Sequence, residues 1–189
     1  MTTNTMIWID LETTGLTPEN DCILEIGARA TDASGNEISR FDSLVWTPGW
    51  REALLKTESQ AASTMHASSG LIDELLLTPE EGRAYLLPQA VEKSFWRWLA
   101  MHVNPGTPIC GSSVHFDREF LRWHMKGIYD YFGYRIVDVS STAEQLRIAR
   151  PDLYAMIPER VKAHRPQADL DVSIGLWQWF LDRAFLVWS

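Results

Sequence analysis

At 189 residues the chain is long enough for one α/β domain with a substantial core, whereas a two-domain split would leave each half small. With 46% apolar and 22% charged residues it has the balance of a soluble globular protein, which excludes a disordered or fibrous chain. A formal net charge of −8 weighs against tight binding to long duplexes, leaving either no contact with nucleic acid or contact with short or single-stranded ends, where bound cations neutralise the protein's own carboxylates.

The N-terminal MTTNTMIWID has neither a basic n-region nor a long apolar h-region, and no apolar run reaches membrane-span length. The expectation is a cytoplasmic protein that makes no use of a membrane. Residues 6–12 alternate, with Ile7, Ile9 and Leu11 on one face and Trp8, Asp10 and Glu12 on the other, the period of a strand. Residues 22–30 read as a second strand, and a turn at Ser34-Gly35-Asn36 leads into a third around 39–46, giving an antiparallel meander. The section 50–103 is mostly helical in pattern; Pro88 suits the first turn of a helix whose apolar positions include Val91, Phe95, Trp98 and Leu99. Residues 107–111 form a short buried strand, followed by a helix from about His115 to Lys126. Another strand covers Tyr134 to Asp138, a helix runs from Ser141 to about Ala149, and a last helix from roughly Pro166 to Leu186. Cys22 and Cys110 both sit in strand-like stretches and are expected to be buried reduced thiols. With no repeat, low-complexity tract or linker, the chain is expected to be a single domain over residues 1–189: a mixed β-sheet, antiparallel meander plus parallel strands, flanked by helices.

Asp10 and Glu12 share a strand face roughly 6.5–7 Å apart along the chain, since residues i and i+2 point the same way. Burying such a pair is costly without positive compensation. The following Thr13-Thr14-Gly15-Leu16 ends the strand, so the pair sits at its carboxyl end, where open α/β sheets place ligands; an exposed, solubilising strand face is the plain alternative. Asp117 opens a helix, which the helix dipole alone would favour. In His164-Arg165-Pro166-Gln167-Ala168-Asp169, Pro166 suits the first helical position, which assigns His164 to a loop and Asp169 to the first turn. That spacing does not make a helical zinc pair. A loop imidazole near a fixed carboxylate suits proton transfer, and histidine has the side-chain pKa best placed for a general base.

Taken in order, Asp10-Leu11-Glu12-Thr13-Thr14-Gly15-Leu16, then Cys110-Gly111-Ser112-Ser113 leading to Asp117, then His164 with Asp169, resemble the three exonuclease motifs of the DEDDh superfamily. Within it the chain is most similar to the oligoribonucleases, through Trp8 to Glu12, His66 to Leu71, Asp117 to Leu121 and Tyr134 to Ser140. The resemblance implies an RNase H-like fold, a homodimer, and removal of 5′-nucleotides from the 3′ ends of very short, single-stranded RNA. It implies that Asp10, Glu12, Asp117 and Asp169 hold two divalent cations, Mg²⁺ or Mn²⁺, because hard cations take oxygen ligands, with His164 as general base. It further implies that Leu16 wedges against the terminal base, that Ser113, Arg135 and Ser140 cap a 5′ phosphate, that Tyr134 reaches across the dimer, and that His66 contacts substrate. Asp138 fits a helix cap and is left out of the metal set.

Ala61 stands where the family carries a tryptophan that stacks on a base, a contact worth roughly 1–3 kcal/mol; Trp46 and Trp50 are candidate replacements. This departure keeps open a broader single-stranded DNA or RNA exonuclease of the proofreading or tRNA-trimming type. Outside that class stand a small-molecule phosphoesterase and a non-catalytic interaction module, the latter opposed by the complete set of five catalytic positions.

Overall fold

In the computed structural model, residues 5–77, 85–159, 161 and 163–185 are described. Three long strands, β1 (Met6–Thr13), β2 (Ile23–Thr31) and β3 (Glu37–Val45), form the expected antiparallel meander. The short strands β4 (Tyr85–Leu86), β5 (Ile109–Gly111) and β6 (Ile136–Asp138) add parallel pairs, giving the order β4-β3-β2-β1-β5-β6. The mixed sheet is therefore antiparallel in its middle and parallel toward both edges.

The helices are α1 (Trp50–Leu54), α2 (Gln60–Ser68), α3 (Leu71–Leu76), α4 (Pro88–His102), α5 (His115–His124), α6 (Lys126–Tyr131), α7 (Val139–Ala149), α8 (Pro151–Tyr154) and α9 (Pro166–Trp179). Alternation along β1 becomes two separate cores. Ile7, Ile9 and Leu11 pack with Val91, Phe95 and Leu99 of α4 and Phe120 and Leu121 of α5. Trp8 packs on the other side with Val139 and Ala143 of α7 and Leu170 and Ile174 of α9. Trp8 is fully buried and its indole N–H donates to Thr31 Oγ1 at 3.0 Å, so the polar-looking face of β1 is covered too. An exposed solubilising face is thereby ruled out.

Several boundaries differ from the expectations. The single helix from His115 divides at Met125, which leaves the helical region at φ −140°, while the Gly127 amide donates to Glu92 Oε1 at 2.7 Å. Residue pairs too short to show a period, such as β4, were not legible, and the four-residue α8 was likewise unread. The last helix keeps α geometry only to Trp179 and continues as a π-helical turn over Phe180–Phe185; the expected end at Leu186 lies outside the described residues. Among the described residues no helix is long and apolar enough to cross a membrane.

What positions the site is β2. Its residues Glu25, Gly27 and Arg29 point to one face, and each receives the start of α9. The Arg29 guanidinium donates to Gln167 Oε1 at 2.9 Å and to the Gln167 carbonyl at 3.0 Å, and pairs with Asp171. A side chain at position 27 would come within 2.5 Å of Pro166 Cβ, so glycine is what lets the helix start approach the strand. Asp10 lies opposite Gly27 and Glu12 opposite Glu25 in the β1–β2 register. The close approach at Gly27 thus brings the first turn of α9 beside the β1 carboxylates.

Candidate active site

Asp10 and Glu12 from the end of β1 meet Asp169 from the first turn of α9, with one carboxylate oxygen of each within 4.8 Å of the others. Glu12 and Asp169 are buried, each 5% exposed, and Asp10 is partly buried, so three carboxyl groups converge at one end of the cleft. Carboxylate oxygens are the donors that hard divalent ions prefer. The residues therefore fit a divalent metal centre. Asp117, from the first turn of α5, accepts the Leu11 amide on Oδ1 at 2.9 Å and lies outside the three-carboxylate group while lining the same cleft.

The cleft encloses about 380 Å³. Its floor is Asp10, Glu12, Asp117 and Asp169; His164, Ser112 and Ser113 flank them, and Leu16, Phe116, Ala61, Ala62, Met65 and Glu58 form the walls. Leu16 is 79% exposed at the tip of a turn that is stapled from below. Asp21 accepts the Thr14 hydroxyl at 3.1 Å and the Thr17 amide at 2.9 Å, and Thr13 Oγ1 donates to the Gly15 carbonyl at 2.7 Å. An apolar side chain held out into a cleft is available to a ligand and to nothing in its own core.

His164 lines the cleft from the loop before α9, at φ 55°. Its neighbours are tied on both sides. The Ala163 amide donates to Asp169 Oδ1 at 2.9 Å. Arg165 forks onto Glu25 of β2, Nε to Oε2 at 2.8 Å, and onto Glu74 of α3, Nη1 to Oε1 at 2.8 Å. The two carboxylates hold the guanidinium pKa well above its ordinary value.

Ser113 and Ser140 form a unit organised by Asp138. Asp138 Oδ1 accepts the Ser113 amide at 3.0 Å, the Ser140 amide at 2.9 Å, the Ser140 hydroxyl at 2.6 Å and the Ser141 amide at 3.2 Å. Burial pushes its carboxyl pKa up, but the Ser140 hydroxyl and these amides together hold it below the usual range. Asp138 is the N-cap of α7, as expected, and Ser113 is left at φ 56° with its hydroxyl 3.1 Å from that of Ser140.

Four expected residues do not line the cleft, and one of them, Ser140, lines a neighbouring pocket with Ser113 and Asp138. Tyr134, 79% exposed, and Arg135, stacked on its ring at 4.8 Å, precede the edge strand β6 and do not line the cleft. His66 is a correction: it is fully buried, so it offers no surface to a substrate. Its Nε2–H donates to the Thr13 carbonyl at 2.8 Å and Nδ1 faces Glu12 Oε2 at 3.7 Å, with burial pushing its pKa down. It braces the end of β1 from behind. Neither Trp46 nor Trp50 replaces the missing ring at position 61, because both pack with Leu24, Leu44, Leu71 and Leu75 in a third core. Glu58 and Arg165 were not singled out from the sequence. Glu58 is one acidic residue in a helical stretch, and Arg165 finds its partners 140 and 91 residues away.

The family model for exonucleases matches residues 7–47, which span β1 to β3 and contain Asp10 and Glu12. Oligoribonuclease of Streptomyces avermitilis is 37% identical over 185 residues, covering 96% of this chain and 87% of that protein. The Shewanella baltica oligoribonuclease is 33% identical over 97% of both, and the mitochondrial one of Mus musculus 32% identical over 95% of this chain and 73% of its own. This chain belongs to the oligoribonuclease family. It is an exonuclease-type hydrolase, built on a DEDDh framework. Solved structures of exonuclease I share the fold: one superposes with a TM-score of 0.68 at 20% identity, and that from Methylocaldum szegediense with 0.60 at 19%. The chain covers 95% of its own length in these superpositions but only about two fifths of theirs, 41% and 40%. The sheet and its covering helices are thus the RNase H-like arrangement that the motifs implied.

Proposed function

We propose that the protein hydrolyses short single-stranded RNA from the 3′ end, releasing 5′-mononucleotides, as one exonuclease domain over residues 1–189. The observation that carries this reading is the convergence of Asp10, Glu12 and Asp169 within 4.8 Å in a cleft that His164 also lines. Asp117 completes the set of oxygen donors. When bound, two divalent cations, Mg²⁺ or Mn²⁺, supply the positive charge that acidifies the attacking water and stabilises the leaving oxygen. His164 takes the proton from that water as its oxygen bonds to phosphorus, and the bond from phosphorus to the 3′-oxygen breaks. Leu16 separates the terminal base from its neighbour. Ser113 and Ser140, with Arg135, hold the 5′ phosphate, a task suited to the planar donor fork of arginine.

Tyr134 stands exposed beside an edge strand, which suits a homodimer in which each subunit lends it to the other's cleft. Sedimentation or light scattering should give twice 21.6 kDa; a monomer removes Tyr134 from any shared site. A reducing, cytoplasmic setting accords with the two free, buried thiols of Cys22 and Cys110.

The deciding assay follows 5′-labelled RNA and DNA ladders, from dinucleotides upward, with Mg²⁺ or Mn²⁺. Strong preference for dinucleotides of RNA supports the reading. Equal degradation of long single strands replaces it with the broader exonuclease that Ala61 keeps open. Substitution His164→Ala should lower kcat by about 10²- to 10⁴-fold, and unchanged kcat removes His164 as the base.

A further inference from the structure

Among non-glycine residues, His164 is one of two described with positive φ, the other being Ser113. That conformation carries a cost and persists only where the surroundings over-determine it. For His164 the surroundings are two anchors. On one side the Ala163 amide is held by Asp169 Oδ1 at 2.9 Å, which fixes the loop to a metal-binding carboxylate. On the other, Arg165 makes four hydrogen bonds: to Glu25 at 2.8 and 3.1 Å and to Glu74 at 2.8 and 3.1 Å. Glu25 is 3% exposed and projects from the central strand β2, a fixed point in the molecule. Glu74 belongs to α3, which follows directly on the α2 wall of the cleft. Pro166, seated on Gly27, prevents the chain from relaxing at the next residue.

We propose that Arg165 is a positioning residue for His164, a step that rests on the reading of His164 as general base. Its double fork on Glu25 and Glu74 holds the loop in the one conformation that carries the imidazole into the cleft. The arrangement also explains why arginine stands there. A guanidinium can bond two carboxylates side by side in fixed geometry, whereas the lysine ammonium is a point charge on a flexible stem that cannot fix a backbone in the same way.

The test is a double-mutant cycle on the whole protein, with steady-state kinetics on a short RNA and thermal melts of every variant. Arg165→Lys keeps the charge and loses the fork; Glu74→Gln removes the charge and one of the two acceptor oxygens of the partially exposed arm. For Arg165→Lys, kcat should fall about ten- to a hundredfold, the scale of a roughly 1 Å misplacement of a reacting group, with KM within about threefold. Glu74→Gln should act in the same direction and less. In a His164→Ala background neither substitution should lower the residual rate further, because a group acting only through His164 has nothing left to position. Full activity in Arg165→Lys overturns the proposal, as it shows that charge alone suffices. Losses that multiply with His164→Ala overturn it too, since they show a general structural role. If Arg165→Lys is unfolded at the assay temperature, the Glu74→Gln cycle decides by the same criterion. A His164→Ala protein with unchanged kcat strikes the underlying reading instead, whereas a large His164→Ala loss without an Arg165 effect removes only the Arg165 assignment.

Discussion

The floor of the cleft and its rim are built by different rules. On the floor, Asp10 and Glu12 come from a central strand, Asp117 and Asp169 from first turns of helices, and Glu12, Asp117 and Asp169 are each only 5% exposed. At the rim and beyond it, Leu16 and Tyr134 are each 79% exposed, Glu58 and Arg135 are exposed, and Ala61 presents a single methyl group. Converging charges in a dry site must be placed by rigid elements, because small displacements change their energies by whole kilocalories. Groups that recognise a flexible ligand tolerate loops and single substitutions. The floor is thus built from rigid elements, whereas the walls are built from exposed turns and short helices.

The strongest way to break that contrast is at the floor. Asp169→Ala removes one of the three converging carboxylates and the acceptor of the Ala163 amide together. Activity should fall by about a thousandfold or more, the equivalent of several kcal/mol of transition-state charge stabilisation. A melt with and without Mn²⁺ gives a second readout, since a ligand that binds only the folded state raises Tm. The wild type should gain stability on adding metal, and the variant should lose most of that gain. An unaltered metal response would show that the three-carboxylate group is not the metal centre.

The same contrast explains what was legible in the sequence. Asp10 and Glu12 announced themselves because a period of two in an apolar strand makes paired carboxylates conspicuous, and Pro166 marked where α9 begins. The β1–β3 meander was readable for the same reason. Arg165 was not, because its meaning lies in Glu25 of β2 and Glu74 of α3, brought to it only by the tertiary fold. For His66 the resemblance implies a substrate contact, whereas packing buries it fully against Thr13 and Glu12, a placement that no local pattern in the sequence signals. Short elements such as β4, and the break at Met125, depend on neighbouring segments and leave no local period.

A wall residue should respond in the opposite direction. Ala61 lines the cleft on α2, and none of the nearby tryptophans fills its place. Ala61→Trp should lower KM for dinucleotides by about tenfold, within the roughly 1–3 kcal/mol that one base–aromatic contact contributes, with kcat little changed. Steady-state kinetics on RNA dinucleotides checks it. A fall in kcat without tighter binding would mean that the wall touches the chemistry and that the two regions are not separable.

Asp138 joins the two regions by capping α7 and holding Ser113 and Ser140 together. Asp138→Ala should cost about 1–2 kcal/mol through the lost cap, a lowering of Tm by roughly 2–8 °C at this chain length. The pH dependence has a definite sign. A carboxyl whose folded pKa lies below its ordinary value of 3.8 contributes stability above that value and loses it as pH falls through the depressed one. Melts at neutral pH should therefore separate wild type from variant, and the separation should shrink in acid. A gap that stays constant down to pH ~2 would mean that packing rather than the carboxylate's hydrogen bonds stabilises this corner.

The smallest expected effect lies at Glu58. Its exposed carboxylate lines a cleft whose floor already carries four acidic side chains, in a protein of net charge −8 that must admit phosphates. Exposed like charge acts on the approach of an anion more than on the bound geometry, and salt screens it within about 8–10 Å. Glu58→Gln should therefore raise kcat/KM on short RNA by about two- to fivefold at low ionic strength and by little at several hundred millimolar salt, leaving kcat alone. Initial rates across a salt series would show it. If the substitution instead lowers kcat/KM, or changes it equally at every salt concentration, then Glu58 makes a direct contact with the substrate, and the division between a fixed floor and an adaptable wall has to be redrawn to include it.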